Sequence, residues 1–124
     1  MNKPLALIIE DDDDLSEIYS VALRGSGFDT EIVRDGGSAL QRLTGPIPAV
    51  IVLDLHLPRV AGPAILEQIR ADARLARTAV IVTTADARLA EEMQVKADLV
   101  LLKPVSVNQL RELAQRMYHR GETA

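Results

Sequence analysis

Four short apolar segments of the chain each end on polar or charged residues. They consist almost entirely of Leu, Ile, Val and Ala without polar alternation, and they cover Leu5–Ile9, Val50–Leu53, Val80–Thr83 and Leu99–Leu102. Apolar runs of this kind are typical of strands buried on both faces, as the strands of a parallel sheet are. A weaker strand is predicted over Thr30–Val33, where the turn residues Asp35, Gly36 and Gly37 follow.

Helical patterns separate these predicted strands. Apolar positions recur at helical spacing within Leu15–Leu23, Ser38–Leu43, Ile65–Ile69, Arg88–Val95 and Val107–Tyr118. The segment over Arg88–Val95 has few apolar positions, so we expect a short, mobile helix there. Asp12, Asp13 and Asp14 precede the first helix, and we expect them to cap it and to favour solubility.

The alternation of strand and helix predicts the fold class. Five strand–helix units in succession favour a parallel sheet with right-handed crossovers and helices on both faces. We therefore expect an α/β fold, a doubly wound five-stranded parallel sheet, that occupies residues 1–124 as a single domain.

The composition narrows the classes of function. With 124 residues, of which 48% are hydrophobic and 2% aromatic, the chain can bury one aliphatic core. Its net charge of −4 argues against direct binding to nucleic acid. The absence of cysteine excludes disulfides and thiolate metal sites and suits a cytoplasmic location. The apolar run at Leu5–Ile9 is too short for a signal peptide or a membrane span, so we expect no membrane association.

Five polar side chains follow the predicted strands, at the edge of an open parallel sheet where ligands bind. They are Glu10, Asp11, Asp54, Thr84 and Lys103. Three carboxylates close together repel one another, and such a cluster either takes up protons or recruits a cation. Oxygen ligands on a partly open site favour Mg²⁺. An ammonium and a hydroxyl can hold phosphoryl oxygens while one carboxylate acts as nucleophile and forms an acyl phosphate.

The motifs around these residues occur in a specific order and spacing. They are Ile9-Glu10-Asp11, Asp35-Gly36-Gly37-Ser38-Ala39-Leu40, Leu53-Asp54-Leu55-His56-Leu57-Pro58 with Gly62, Val82-Thr83-Thr84-Ala85, and Leu102-Lys103-Pro104. Over nearly its whole length the chain resembles the receiver domain of two-component response regulators, with the flavodoxin-like receiver fold of the chemotaxis type. The resemblance implies a phosphorylatable signalling switch and not an enzyme acting on an external substrate.

The resemblance also implies which residues bind the metal. Asp11 would bind Mg²⁺ directly and Glu10 would bind it through water, with Asp54 as a further ligand. The main-chain carbonyl of His56 would complete the protein's share of the ligands.

The resemblance also implies where the phosphoryl group comes from and which residues contact it. Asp54 would receive it from a sensor histidine kinase or a phosphotransfer protein. Thr84, chosen over Thr83 because Thr-Ala-Asp-Ala matches the family's usual segment, would turn toward the phosphoryl group. Lys103 would bridge that group to the carboxylates, and the bond from Lys103 to Pro104 is expected to be cis.

Three positions depart from the pattern of the family. Val100 stands where a switching Tyr or Phe is common, Val105 stands where Phe is frequent, and Ala61 replaces an acidic or amide residue. The stretch from Thr84 to Lys103 is also a few residues shorter than usual. These changes concern the output face, formed by the fourth helix, the last strand and the last helix, more than the chemistry. We therefore expect intact phosphorylation and an unusual, unknown output protein.

Two further residues flank the path by which water would attack an acyl phosphate in such domains. They are His56, two positions after Asp54, and Asp86, two positions after Thr84. We hypothesise that both set the lifetime of the phosphorylated form, although an exposed loop histidine is the simpler interpretation of His56.

Other functions are compatible with parts of the pattern. The chain ends without a linker or helix-turn-helix, so we favour a stand-alone regulator, either a monomer or a phosphorylation-dependent dimer, over the receiver piece of a larger DNA-binding regulator or hybrid kinase. A haloacid-dehalogenase-type phosphatase needs a second Asp where His56 stands. A degenerate, non-phosphorylated interaction module would not require the complete set of site residues.

Overall fold

The computed structural model describes the backbone of residues 3–123 and the side chains of residues 3–119. Five strands alternate with five helices and one short 3₁₀ turn. In chain order they are β1 Leu5–Ile9, α1 Asp13–Arg24, β2 Asp29–Val33, α2 Gly36–Arg42, β3 Val50–Asp54, α3 Gly62–Ala71, the 3₁₀ turn Ala73–Leu75, β4 Ala79–Thr84, α4 Ala87–Met93, β5 Leu99–Leu102 and α5 Val107–Thr123.

All strand pairs are parallel, and the sheet has the order β2-β1-β3-β4-β5. The order places β1 and β3 side by side, with the chain winding outward in opposite directions from them. Ligand sites of open α/β sheets lie at such a switch point, beyond the carboxyl ends of the strands. The prediction of a doubly wound, five-stranded parallel sheet is confirmed.

Two aliphatic cores lie on opposite faces of the sheet. Leu7 and Ile51 belong to the core beneath α2, α3 and α4. Ile8 and Val52, one position later on the same strands, belong to the core beneath α1 and α5. This alternation follows from the two-residue period of a strand, and the absence of polar positions follows from burial on both faces.

Aspartate side chains fix the starts of three helices. Asp12 accepts a hydrogen bond from the Leu15 amide, as expected for the N-cap of α1. Asp35 caps α2, so this helix begins at Gly36, two residues earlier than predicted. Asp86 caps α4, which begins at Ala87.

The remaining differences from the sequence prediction concern the ends of elements. Helix α4 ends at Met93, two residues before the predicted end at Val95, and its shortness is confirmed. Helix α5 continues to Thr123, beyond the last residue of its apolar face. The 3₁₀ turn Ala73–Leu75 is too short to give a periodic signal. Among the helices within residues 3–123, none has the length and apolar character that crossing a bilayer requires.

Candidate phosphorylation site

The sheet itself brings the acidic residues together. Ile9 of β1 is in register with Leu53 of β3, so the next residues along the chain, Glu10 and Asp54, lie side by side. Asp54 is in turn in register with Thr83 of β4. Since partners in a parallel register point to the same face, these three side chains form one row at the carboxyl edge.

Three carboxylates form a tight cluster at this edge. One oxygen each of Glu10, Asp11 and Asp54 lies within 4.8 Å of the other two. Glu10 and Asp54 are buried, whereas Asp11 is exposed, so the cluster is closed on the protein side and open on the solvent side. Such a set of hard oxygen donors with one open side fits a divalent cation of the Mg²⁺ type.

Lys103 supplies the positive charge at the cluster. Its Nζ donates to Glu10 Oε1 at 2.9 Å and lies 3.4 Å from Asp54 Oδ2. The Lys103 amide donates to the Thr84 carbonyl, and the Lys103–Pro104 bond is cis, as predicted. The backbone hydrogen bond to Thr84 holds Lys103 at the end of β5, from where its side chain reaches Glu10 and Asp54.

Glu10 and Lys103 each influence the pKa of the other. Burial raises the pKa of the Glu10 carboxyl, and the hydrogen bond from Lys103 opposes this effect. Burial acts to lower the pKa of the Lys103 ammonium, but the hydrogen bond to Glu10 and the charge of Asp54 outweigh it, so the pKa of Lys103 is raised. Lys103 is therefore charged at neutral pH, and Glu10 depends on it as a counter-ion.

The Thr84 hydroxyl is already engaged by two neighbours. Thr84 Oγ1 accepts a hydrogen bond from the Asp86 amide at 3.0 Å and lies 3.1 Å from Nε2 of His56. With the amide as donor, the hydroxyl proton is free to be donated to Nε2 of a neutral imidazole. His56 is exposed in the loop, as the simpler interpretation expected, and its ring also lies within hydrogen-bond distance of the Thr84 hydroxyl.

The loop between β3 and α3 is held close to the site by Gly62. The Gly62 amide donates to the Leu55 carbonyl, and a Cβ at this position would lie 2.3 Å from Leu55 Cα. Only glycine permits this close approach. Within the same loop, the His56 amide donates to Asp54 Oδ1 at 3.2 Å, which orients the carboxylate.

The structure brings together Glu10, Asp11, Asp54 and Lys103, and it places Thr84 at the end of the strand next to β3. Whether the His56 carbonyl binds a metal stays a prediction, as do the roles of the other site residues. Two buried hydroxyls lie on the same face, those of Tyr19 and Thr83. The sequence analysis weighed Thr83 only as the alternative to Thr84, and the hydroxyl of Tyr19 was missed.

Comparisons with known proteins place this geometry in a family. The family model of the response regulator receiver domain matches residues 6–115. DNA-binding response regulator MtrA of Mycolicibacterium smegmatis is 29% identical over 116 residues, which cover 94% of this chain and 51% of MtrA. DNA-binding dual master transcriptional regulator RpaA of Synechocystis is 31% identical over 122 residues, which cover 96% of this chain and 51% of RpaA. The chain thus spans about half the length of these curated relatives.

The fold has close counterparts among solved structures. The signal receiver domain of a putative Luxo repressor protein from Vibrio parahaemolyticus superposes with a TM-score of 0.88 at 27% identity, covering 98% of this chain and 94% of that domain. Sequence motifs, sheet order and site geometry all agree with these matches. The chain belongs to the response regulator receiver domain family.

Proposed function

We propose that this receiver domain is a phosphoacceptor switch, in which Asp54 accepts a phosphoryl group from a histidine kinase or phosphotransfer protein in a Mg²⁺-dependent reaction. The observation that carries the proposal is the position of the Asp54 carboxylate, which clusters with Glu10 and Asp11 and lies 3.4 Å from the Lys103 ammonium. A nucleophile, a cation site and a fixed positive charge are the groups that phosphoryl transfer requires. A receiver domain is a signalling module and not a classical enzyme, and the family match supports this interpretation over the phosphatase alternative.

The transfer step balances with the groups of this site. A carboxylate oxygen of Asp54 attacks the phosphorus of the donor's phosphohistidine, the P–N bond breaks, and the imidazole leaves with the electron pair. Lys103 then holds an oxygen of the new acyl phosphate, and Thr84 turns its hydroxyl from His56 toward another. A Mg²⁺ ion held by Glu10, Asp11, Asp54 and the His56 carbonyl would neutralise charge on the phosphoryl oxygens.

The surface beside the site offers a place for the phosphodonor. Ile18 and Val21 of α1 are 45% and 60% exposed, and they line a groove of about 540 Å³ between α1 and α5. Glu17 and Arg111 lie at the same groove and supply polar contacts. Because α1 begins next to the acidic cluster, a helical protein docked on this groove would present its histidine near Asp54.

A second question is whether this receiver domain acts alone or as part of a longer regulator. Its relatives MtrA and RpaA are DNA-binding regulators of about twice its length. The receiver part of a longer DNA-binding regulator is therefore the second candidate, beside the stand-alone form. Cytoplasmic location, oligomeric state and the output protein remain predictions from the sequence.

Intact mass after incubation with Mg²⁺ and acetyl phosphate tests the proposal. The wild type should gain one phosphoryl group, and Asp54→Asn should gain none because the amide is not a nucleophile. Asp29→Asn, an exposed aspartate at the start of β2, is the matched control and should be phosphorylated like the wild type. A wild type that neither gains mass nor binds Mg²⁺ would favour the degenerate interaction module.

A further inference from the structure

A groove of about 610 Å³ opens at the edge of the sheet opposite the phosphorylation site. Its lining comes from the segments that lead into β1, β3 and β4 and from the C-terminal half of α5. Parallel strands all begin at the same edge, so the groove lies at their amino ends, whereas the acidic cluster lies at their carboxyl ends. A concave volume of this size suits a small organic ligand.

The walls of the groove are apolar. They include three prolines, Pro4, Pro46 and Pro48, together with the side chain of Ile47, which is 53% exposed. The ring of Tyr118 closes the side formed by α5. Apolar and aromatic walls are typical of small-molecule sites, and they offer a flat surface to the hydrocarbon part of a ligand.

Hydrogen bonds to the neighbouring strands hold these walls in place. The Ala49 amide donates to the Leu5 carbonyl, and Thr78 Oγ1 donates to the Pro48 carbonyl at 2.7 Å. The proline rings restrict the backbone further, because each fixes its own φ angle. The groove is therefore formed before any ligand arrives, which lowers the entropic cost of binding.

Two cations and no carboxylate line the groove. The cations are Lys3 and Arg77, and none of the lining residues is Asp or Glu. The chain as a whole carries 18 acidic and 14 basic residues, so this surface has the opposite charge balance to the rest of the protein. Within residues 3–119, all the ion pairs use other cations, which leaves Lys3 and Arg77 without an acidic partner.

The sheet order places the two cations on either side of the apolar wall. Strand β3 lies between β1 and β4, so the segment Pro46–Ala49 separates Lys3 from Arg77. Neighbouring strands are about 4.8 Å apart, which sets the two backbones about 10 Å from each other. An anionic group at Arg77 thus leaves the body of a ligand free to lie across the prolines. The planar guanidinium matches a carboxylate, to which it can donate two parallel hydrogen bonds.

We propose that this groove binds a small carboxylic acid with an apolar body, whose carboxylate pairs with Arg77 and whose body lies against Pro46, Ile47 and Pro48. Lys3 adds a second positive charge at the far side of the groove. The site goes beyond the proposed function, because no step of the phosphoacceptor reaction requires it.

Amide NMR shifts of ¹⁵N-labelled protein during titration with 4-phenylbutyrate test the proposal. The shifts should saturate and should be largest at the groove, at Ile47, Ala49 and Thr78. The neutral analogue 4-phenylbutan-1-ol has the same body without the charge, so it should bind about tenfold more weakly.

Arg77→Gln separates recognition of the carboxylate from packing of the apolar body. Arg77 is exposed, so the change should leave the fold intact. The variant should bind 4-phenylbutyrate about tenfold more weakly and bind 4-phenylbutan-1-ol as the wild type does. Arg88→Gln removes the same charge from an exposed position on α4 and should change neither affinity. Asp54→Asn should bind 4-phenylbutyrate like the wild type, so the groove can be tested whether or not the phosphoacceptor function holds.

Three results would overturn the proposal. The first is the absence of saturable shifts at the groove, and the second is equal affinity of the wild type and Arg77→Gln for 4-phenylbutyrate. The third concerns a second copy of this chain as the occupant. If the groove amides of the ligand-free protein shift on dilution, and no longer do so in Ile47→Glu, the groove is a contact between two copies and not a ligand site.

Discussion

Removal of the Lys103 ammonium should destabilise the resting protein more than any surface charge does. Its Nζ lies 2.9 Å from Glu10 Oε1 and 3.4 Å from Asp54 Oδ2. At an effective dielectric constant of about 20, the two attractions amount to about 6 and about 5 kcal/mol. Desolvation of the ammonium offsets much of this gain, and the side chain is 21% exposed. We expect Lys103→Met to lower the free energy of unfolding by about 3 kcal/mol, at the lower end for a broken buried pair.

The assay is urea or thermal unfolding in the absence of divalent cations. A loss of about 3 kcal/mol corresponds to a fall in Tm of about 10 °C for a domain of this size. Lys96→Met is the matched control, because Lys96 pairs with Glu67 on the surface and its side chain is 43% exposed. That change should cost less than about 1 kcal/mol.

A double variant separates lost attraction from the isolated charge that remains. Lys103→Met leaves a buried Glu10 without its counter-ion, and Glu10→Gln in the same chain removes that charge. The double variant should recover a large part of the lost stability, because removing both partners avoids an uncompensated buried ion. If Lys103→Met costs no more than Lys96→Met, or if Glu10→Gln recovers nothing, the pair does not hold the acids of this site together.

Three more predictions follow from the same geometry. Mg²⁺ affinity should fall as the pH is lowered, because protonation of Glu10 competes with binding of the cation. The fall should begin above the ordinary glutamate pKa of 4.5, because burial raises the pKa of Glu10, and calorimetry of Glu10→Gln should show a flatter pH dependence. His56→Ala and Asp86→Ala should each alter the half-life of the acyl phosphate, measured by loss of the phosphoryl mass; unchanged half-lives in both would contradict their role. Ile18→Glu or Val21→Glu should slow phosphotransfer from a protein donor but not from acetyl phosphate, and equal slowing with both donors would exclude a docking role.

The convergence of the charged residues could be predicted because it depends only on strand ends. Glu10, Asp54 and Lys103 each follow an apolar run, and parallel strands bring their carboxyl ends to one edge whatever the loops do. The motifs then identified the family, which supplied the implied roles. Strand β3 illustrates the limit, because its five residues are all buried and the sequence pattern gave no indication of which helix covers which face.

What escaped prediction depends on side-chain direction and loop conformation. The contact of His56 with Thr84 requires the loop after β3 to fold back, which Gly62 allows but no periodicity indicates. Tyr19 fits the helical pattern as an apolar residue, so its unpaired hydroxyl became visible only with the packing of α1 on the sheet. Both features concern single hydrogen bonds, which leave no trace in hydrophobic patterning.

Val100 carries no aromatic ring, so a change at the site would have to reach the output face through backbone contacts. Thr84 Oγ1 accepts from the Asp86 amide, and the Asp86 carboxylate caps α4 through the amides of Arg88 and Leu89. If the Thr84 hydroxyl turns to a phosphoryl group, it must either lose the hydrogen bond from the Asp86 amide or pull the backbone of Asp86 with it. The first turn of α4 would then be the part that responds, without any rotation at Val100. A short helix in which Ala90 is the one buried residue offers little resistance to such a shift, so under the proposed switch we expect α4 to transmit the signal.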